Sequence, residues 1–172
     1  RTDGHIGLAN GAAFKLCGIT RDTADPPFGR FDHDPVTGEL TGLVRETAAH
    51  LFLEEVHKGD TIEAMASGLV TVFNEYLSHG ITSLHNSLTS SRAVQAYQVM
   101  RATNRLHLRV GMIMSGREQG LVEATIRAGM RTGFGDEWLR VVGVEWCPDC
   151  STSGRTAAYY EPRSEEHTSE LQ

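Results

Sequence analysis

From Asp60 onward, apolar residues return at helical spacing: Ile62, Met65, Ala66, Leu69, Phe73, Tyr76 and Leu77 form one stripe that runs until His79-Gly80. Asp60 and Glu63 stand at the N-cap and N3 positions of a capping box, which predicts a helix starting there. The period then changes. Ile81-Thr82-Ser83-Leu84-His85 reads as a short strand, and Ser91 to Asn104 as a helix with Val94, Tyr97 and Met100 inward. Leu106-His107-Leu108-Arg109-Val110 alternates as a strand continuing to about Met114. Glu118 to Arg131 reads as a helix carrying Leu121, Val122, Thr125 and Ile126, and Trp138 to Trp146 as a β-branched strand. Helices alternating with strands predict parallel strands joined by right-handed crossovers, an α/β fold built as a barrel or a doubly wound sheet.

Residues 1–59 stand outside that alternation. Asn10 is placed to cap a short helix through Phe14 and Leu16, with Gly18 as its stop. Asp25-Pro26-Pro27-Phe28-Gly29 is a loop, and Asp34-Pro35-Val36-Thr37-Gly38 reads as a hairpin-like turn between Gly29-Arg30-Phe31 and Glu39-Leu40-Thr41-Gly42-Leu43-Val44. A helix from Thr47 to Val56, with Leu51, Phe52 and Val56 on one side, ends at Lys58-Gly59.

Composition narrows the class. The 172 residues are 40% hydrophobic and 22% charged, ordinary for a globular chain and unlike collagen, a coiled coil or a disulfide scaffold. With 16 Lys and Arg against 22 Asp and Glu the net charge is −6, and no basic run is interleaved with aromatics, so nucleic acid is excluded as a partner. Apolar runs such as Leu51-Phe52-Leu53 and Leu69-Val70 are far short of the roughly 20 residues that span a bilayer, so no membrane partner is expected. Cys17, Cys147 and Cys150 are too few for a secreted disulfide framework and favour a reducing, cytoplasmic compartment. The chain opens on Arg1 without signal-peptide zones, so its start is expected to lie upstream. Arg163 to Gln172 lacks periodicity and matches, codon for codon, the translation of a short-read sequencing adapter; it is expected to be read-through rather than part of a domain.

The densest chemistry lies between Val141 and Thr156. Strict alternation puts Val141, Gly143 and Glu145 on one face, so Glu145 is expected among core residues at the strand's C-terminal end. A buried carboxylate needs a cation, a metal or an arginine beside it, and both a Glu–Arg pair and a metal site remain open. Cys147-Pro148-Asp149-Cys150 has C-x-x-C spacing but no second ligand pair, so two free thiols are expected. His85, at a strand end, is expected to be a hydrogen-bonded structural residue. Ser151, Ser153 and Arg155 suit either anion binding or ordinary turn chemistry. No His-x-His pair, Gly-x-Ser-x-Gly elbow or glycine-rich phosphate loop occurs.

Several ordered segments carry a resemblance. Asp3-Gly4-His5 with Asn10 and Ala12-Ala13, Gly18-Ile19-Thr20, Pro26-Pro27, Gly29-Arg30, Thr37-Gly38-Glu39 and Thr41-Gly42 to Glu46 resemble amidohydrolase family 3, in the branch that includes N-substituted formamide deformylases. So do Gly80-Ile81-Thr82-Ser83-Leu84-His85, Gly135-Asp136-Glu137-Trp138-Leu139-Arg140 and Asp149 to Ala158, so that the likeness spans nearly all of residues 1–162. The resemblance implies part of a (β/α)8 TIM-like barrel, incomplete at both ends, since a closed barrel takes about 250 residues. It implies a divalent metal cofactor, zinc, as one or two ions, and hydrolysis of a non-peptide amide carbon–nitrogen bond of a small molecule. Glu145 stands where many relatives carry a carboxylated lysine bridging the metals, so it is the implied metal ligand; Asn86 replaces a common Asp and Cys150 a common Gly. His5, Asp149 and Ser151 are the implied substrate-binding residues, with the general-base aspartate expected outside this chain. Homo-oligomerisation is left open. The competing reading is a non-catalytic small-molecule binding module or pseudoenzyme.

Overall fold

The computed structural model describes residues 4–149, 151–152 and 157–159. The chain divides into two units, Arg1–Lys58 with Pro148–Gln172, and Gly59–Cys147. The adapter-like segment 163–172 lies outside the described residues, as do Cys150, Ser153 and Arg155.

In the first unit, β1 (Ile6–Leu8), β2 (Gly29–His33) and β3 (Leu40–Glu46) form an antiparallel sheet in the order β1-β3-β2. Helix α1 (Gly11–Leu16) begins where the Asn10 side chain accepts the Ala13 N–H, and Gly18 takes the left-handed conformation past its end. The β2–β3 turn is built by Asp34, whose carboxylate accepts the N–H groups of Val36 and Thr37 and the Thr37 hydroxyl. α2 (Thr47–Val56) packs Ala48 and Phe52 onto this sheet, where Phe14, Ile19, Phe31 and Val44 complete a small core. Phe14 and Phe52 meet edge to face at 5.4 Å. Gly29 has no freedom here, because a Cβ would collide with the Ala48 nitrogen and the Thr47 hydroxyl. Strand β1 escaped the pattern reading: three residues are too few to show a period.

The second unit carries the alternation: α3 (Ile62–Ser78), β4 (Ser83–Thr89), α4 (Ser91–Ala102), β5 (Arg109–Ser115), α5 (Leu121–Arg127) and β6 (Leu139–Glu145). The strands are parallel in the order β4-β5-β6. Among the described residues these three strands do not close into a barrel. The α3 cap is Thr61 rather than Asp60: its hydroxyl accepts the Ala64 N–H at 3.0 Å, and Glu63 instead forks onto Arg105. At the other end Gly80 lies at positive φ and Ile81 donates to the Tyr76 carbonyl, so Ile81 still belongs to the helix stop and β4 starts later than expected. Helix α5 is shorter than its apolar pattern suggests because Gly120 and Gly129 bracket it in left-handed conformations. Met100, Leu108, Val110 and Val122, each essentially inaccessible, centre the core on the helix side of the sheet. Among the described residues no helix is long and apolar enough to cross a membrane.

Candidate functional site

Two irregularities in the parallel sheet decide where Glu145 points. Val141 is level with Met112, but Glu145 is level with Ser115, so β6 contains one residue more than β5 over that stretch. A one-residue insertion reverses which face the following side chains take. Val141 stays in the core, whereas Glu145 joins the parity of Ser115, Ile113 and Gly111. Gly111 marks the opposite face: a Cβ on it would lie 2.6 Å from the His85 ring and 2.9 Å from Val142. The expectation that Glu145 sits among core residues is therefore corrected, and the cause is the bulge that strict alternation ignores.

The second irregularity receives it. Asn86 is level with Met112 and Thr89 with Met114, so β4 also carries one extra residue, and Leu88 within it has φ +47. Glu145 Oε2 accepts the Ser87 hydroxyl at 2.6 Å and the Leu88 N–H at 3.2 Å. The Thr89 hydroxyl closes the bulge onto the Asn86 carbonyl at 2.7 Å. Leu88 thus holds a backbone conformation that is costly for a branched residue, of order 1–3 kcal/mol, and turns its N–H to the carboxylate. No Arg or Lys pairs with Glu145 among the described residues, so its charge is met by hydrogen-bond donors rather than by the cation weighed for it. Oε1 receives no donor among the described residues, which leaves one oriented carboxylate oxygen at the C-terminal end of the parallel strands, the end where such folds place their chemistry. The Trp146 ring, 55% exposed, lies directly over Gly116. His85 is exposed and packs on Gly111, without a hydrogen-bonded structural role among the described residues.

His5, Asp149 and Ser151 belong to the other unit. His5 Nδ1 lies 2.8 Å from Glu46 Oε2, and the Glu46 N–H donates to the His5 carbonyl at 2.8 Å. Glu46 is buried and has φ +50. Asp149 is exposed, and Ser151 is buried with its carbonyl accepting the Ala157 N–H. Cys147 is a free, exposed thiol, as expected. Among the described residues no three His, Cys, Asp or Glu side chains come together to hold a metal ion. Glu145 fits as a single hard oxygen ligand, but the described residues do not by themselves complete a metal site, since zinc takes three or four protein donors.

The amidohydrolase family profile matches residues 1–171. The chain belongs to the amidohydrolase family. This amidohydrolase chain is 25% identical over 172 residues to Protein LONG AFTER FAR-RED 3 of Arabidopsis thaliana, an alignment covering 94% of the chain and 29% of that protein. Its fold is similar to that of an uncharacterized metal-dependent hydrolase from Pyrococcus horikoshii OT3, with a TM-score of 0.64, 19% identity, and coverage of 92% of this chain and 30% of the other. A second such hydrolase, from Pyrococcus furiosus, aligns with a TM-score of 0.62 and 23% identity over 92% of this chain and 31% of that one. The chain therefore spans under a third of the length of each of these proteins.

Sequence reasoning singled out Glu145 and His5 but missed Ser87, Leu88 and Glu46, the groups that orient them. Their signals are faint. A polar Asn86-Ser87 step before Leu88-Thr89 hints at an interrupted strand, whereas nothing local links Glu46 to a histidine 41 residues away.

Proposed function

We propose that the protein containing this chain is a metal-dependent hydrolase acting on a non-peptide amide carbon–nitrogen bond of a small molecule, akin to the N-substituted formamide deformylases. The observation that carries this reading is Glu145: a carboxylate fixed through one oxygen by Ser87 and Leu88, with the other oxygen undonated among the described residues. In this reading Glu145 contributes one ligand to a site for one or two zinc ions, and donors outside the described residues supply the rest. A divalent ion supplies, when bound, a water nucleophile at neutral pH. The chain's own part is positional. Ser87 and Leu88 keep the Glu145 carboxylate in one rotamer, so that it needs no reorganisation to bind. His5, Asp149 and Ser151 line the amide substrate's pocket, and a reducing cytoplasm suits the free thiols.

The test uses the full-length protein. Elemental analysis and turnover of a panel of N-formyl and N-acyl amines are measured for the wild type and for Glu145→Gln. Bound zinc and amide turnover, both lost in the variant, are the expected result. A metal-free protein inactive on the whole panel, or a variant retaining metal and activity, overturns the reading in favour of a binding module.

A further inference from the structure

We infer that Glu145 serves a single metal ion, through Oε1 alone, and does not bridge a pair; this rests on the reading of Glu145 as a metal ligand. The ground is the state of the other oxygen. Oε2 accepts the Ser87 hydroxyl at 2.6 Å and the Leu88 N–H at 3.2 Å. A carboxylate oxygen offers two lone-pair sites, and these two donors take both. Oε1 receives no donor among the described residues, so the two oxygens of one side chain are unequal.

Two-ion hydrolytic sites hold their ions about 3.5–4 Å apart, and two dications that close repel strongly unless shared anionic ligands lie between them. A carboxylate meets that need by giving one oxygen to each ion. Glu145 could do so only if an ion displaced Ser87 or Leu88 from Oε2. Leu88 is not free to yield. It sits in the β4 bulge with φ +47, and the bulge is closed by the buried Thr89, whose hydroxyl donates to the Asn86 carbonyl at 2.7 Å. An ion on Oε2 would strand a part-buried backbone N–H whose direction the bulge dictates, which is unfavourable. Ser87 lies in the same bulge, and its hydroxyl reaches Glu145 across β5 because β6 carries a matching extra residue. The two bulges thus aim two donors at one oxygen and leave the other for the metal.

The test titrates metal-free full-length protein with Zn2+, uptake being measured by equilibrium dialysis, and with Mn2+ for electron paramagnetic resonance. The expected result is saturation at one ion per chain, the spectrum of an isolated Mn2+, and loss of uptake in Glu145→Gln. Infrared difference spectra of the Zn2+ titration read the coordination mode. The metal-dependent carboxylate bands that Glu145→Gln lacks should show the wide splitting of the two stretches that one-oxygen binding gives. Saturation at two ions with an exchange-coupled Mn2+ spectrum, or the narrow splitting of a bridging carboxylate, overturns the inference and leaves the hydrolase reading standing. A wild-type protein that takes up no Zn2+ overturns both. A folded Glu145→Gln protein that still binds its ion removes Glu145 from the site, and the inference falls with it.

Discussion

The Ser87 hydroxyl donates to Glu145 Oε2 at 2.6 Å, a bond that ties β4 to β6 across the intervening β5. It exists because each outer strand has gained one residue relative to the middle one. Removing either bulge returns one partner to the opposite parity and separates the pair.

Ser87→Ala is expected to leave the carboxylate with the Leu88 N–H alone. Hydrogen bonds to charged groups contribute about 1.5–3 kcal/mol, and this one is at an exposed serine, so the lower end applies. In the full-length protein the variant should retain its metal while turnover falls roughly tenfold, the equivalent of about 1.4 kcal/mol. Unaltered turnover would show that Glu145 does not need orienting.

Asp32 makes acid lability predictable. Burial pushes its pKa up, but hydrogen bonds from Arg45 and Arg30 and their charges outweigh burial and hold it below the ordinary 3.8. Arg45 grips it through Nε at 3.0 Å and a second nitrogen at 2.7 Å, and Arg30 through Nε at 3.0 Å. A depressed folded value means that the stabilisation is fully present above pH 3.8 and is lost as pH falls through the lower folded pKa. Asp32→Asn should cost about 1–2 kcal/mol at neutral pH, the pair being partly open to water. Urea midpoints measured from pH 7 down to about pH 2 should converge for wild type and variant at the acid end. Parallel curves would contradict the assignment.

The glycines separate a backbone constraint from a side-chain one. At Gly29 an added methyl meets the Ala48 backbone nitrogen, which cannot turn aside; at Gly111 it meets the His85 ring and Val142, which can. Gly29→Ala should cost at least the 1–3 kcal/mol typical of overpacking, and Gly111→Ala less. Chemical denaturation ranks them, and a reversed order would mean that the His85 ring is held as firmly as backbone.

These residues show why only part of the fold was readable. The α3 stripe, the α1 cap, the β2–β3 turn and the βα alternation follow from local periodicity and cap chemistry, and they stand where those rules put them. The face of Glu145 does not, because a bulge depends on the neighbouring strand, and period-2 counting carries no information about a neighbour. Family likeness identified Glu145 and His5 as residues of interest. Their partners Ser87 and Glu46 are 58 and 41 residues distant and become visible only when the sheets are assembled.

The start of α3 offers a last test at a position where sequence and structure differ by one residue. Asp60 has the better cap chemistry, yet the Thr61 hydroxyl accepts the Ala64 N–H, while the Asp60 carbonyl takes the Arg92 guanidinium at 2.6 Å. A carbonyl engaged in this way fixes the preceding residue outside the helix and leaves capping to the next. Thr61→Ala should then cost about 1 kcal/mol, the usual loss for a removed cap. Asp60→Ala keeps the carbonyl that Arg92 uses and should cost less. Thermal midpoints of the two variants decide the point: a larger drop for Asp60→Ala would restore the capping box read from Asp60 and Glu63.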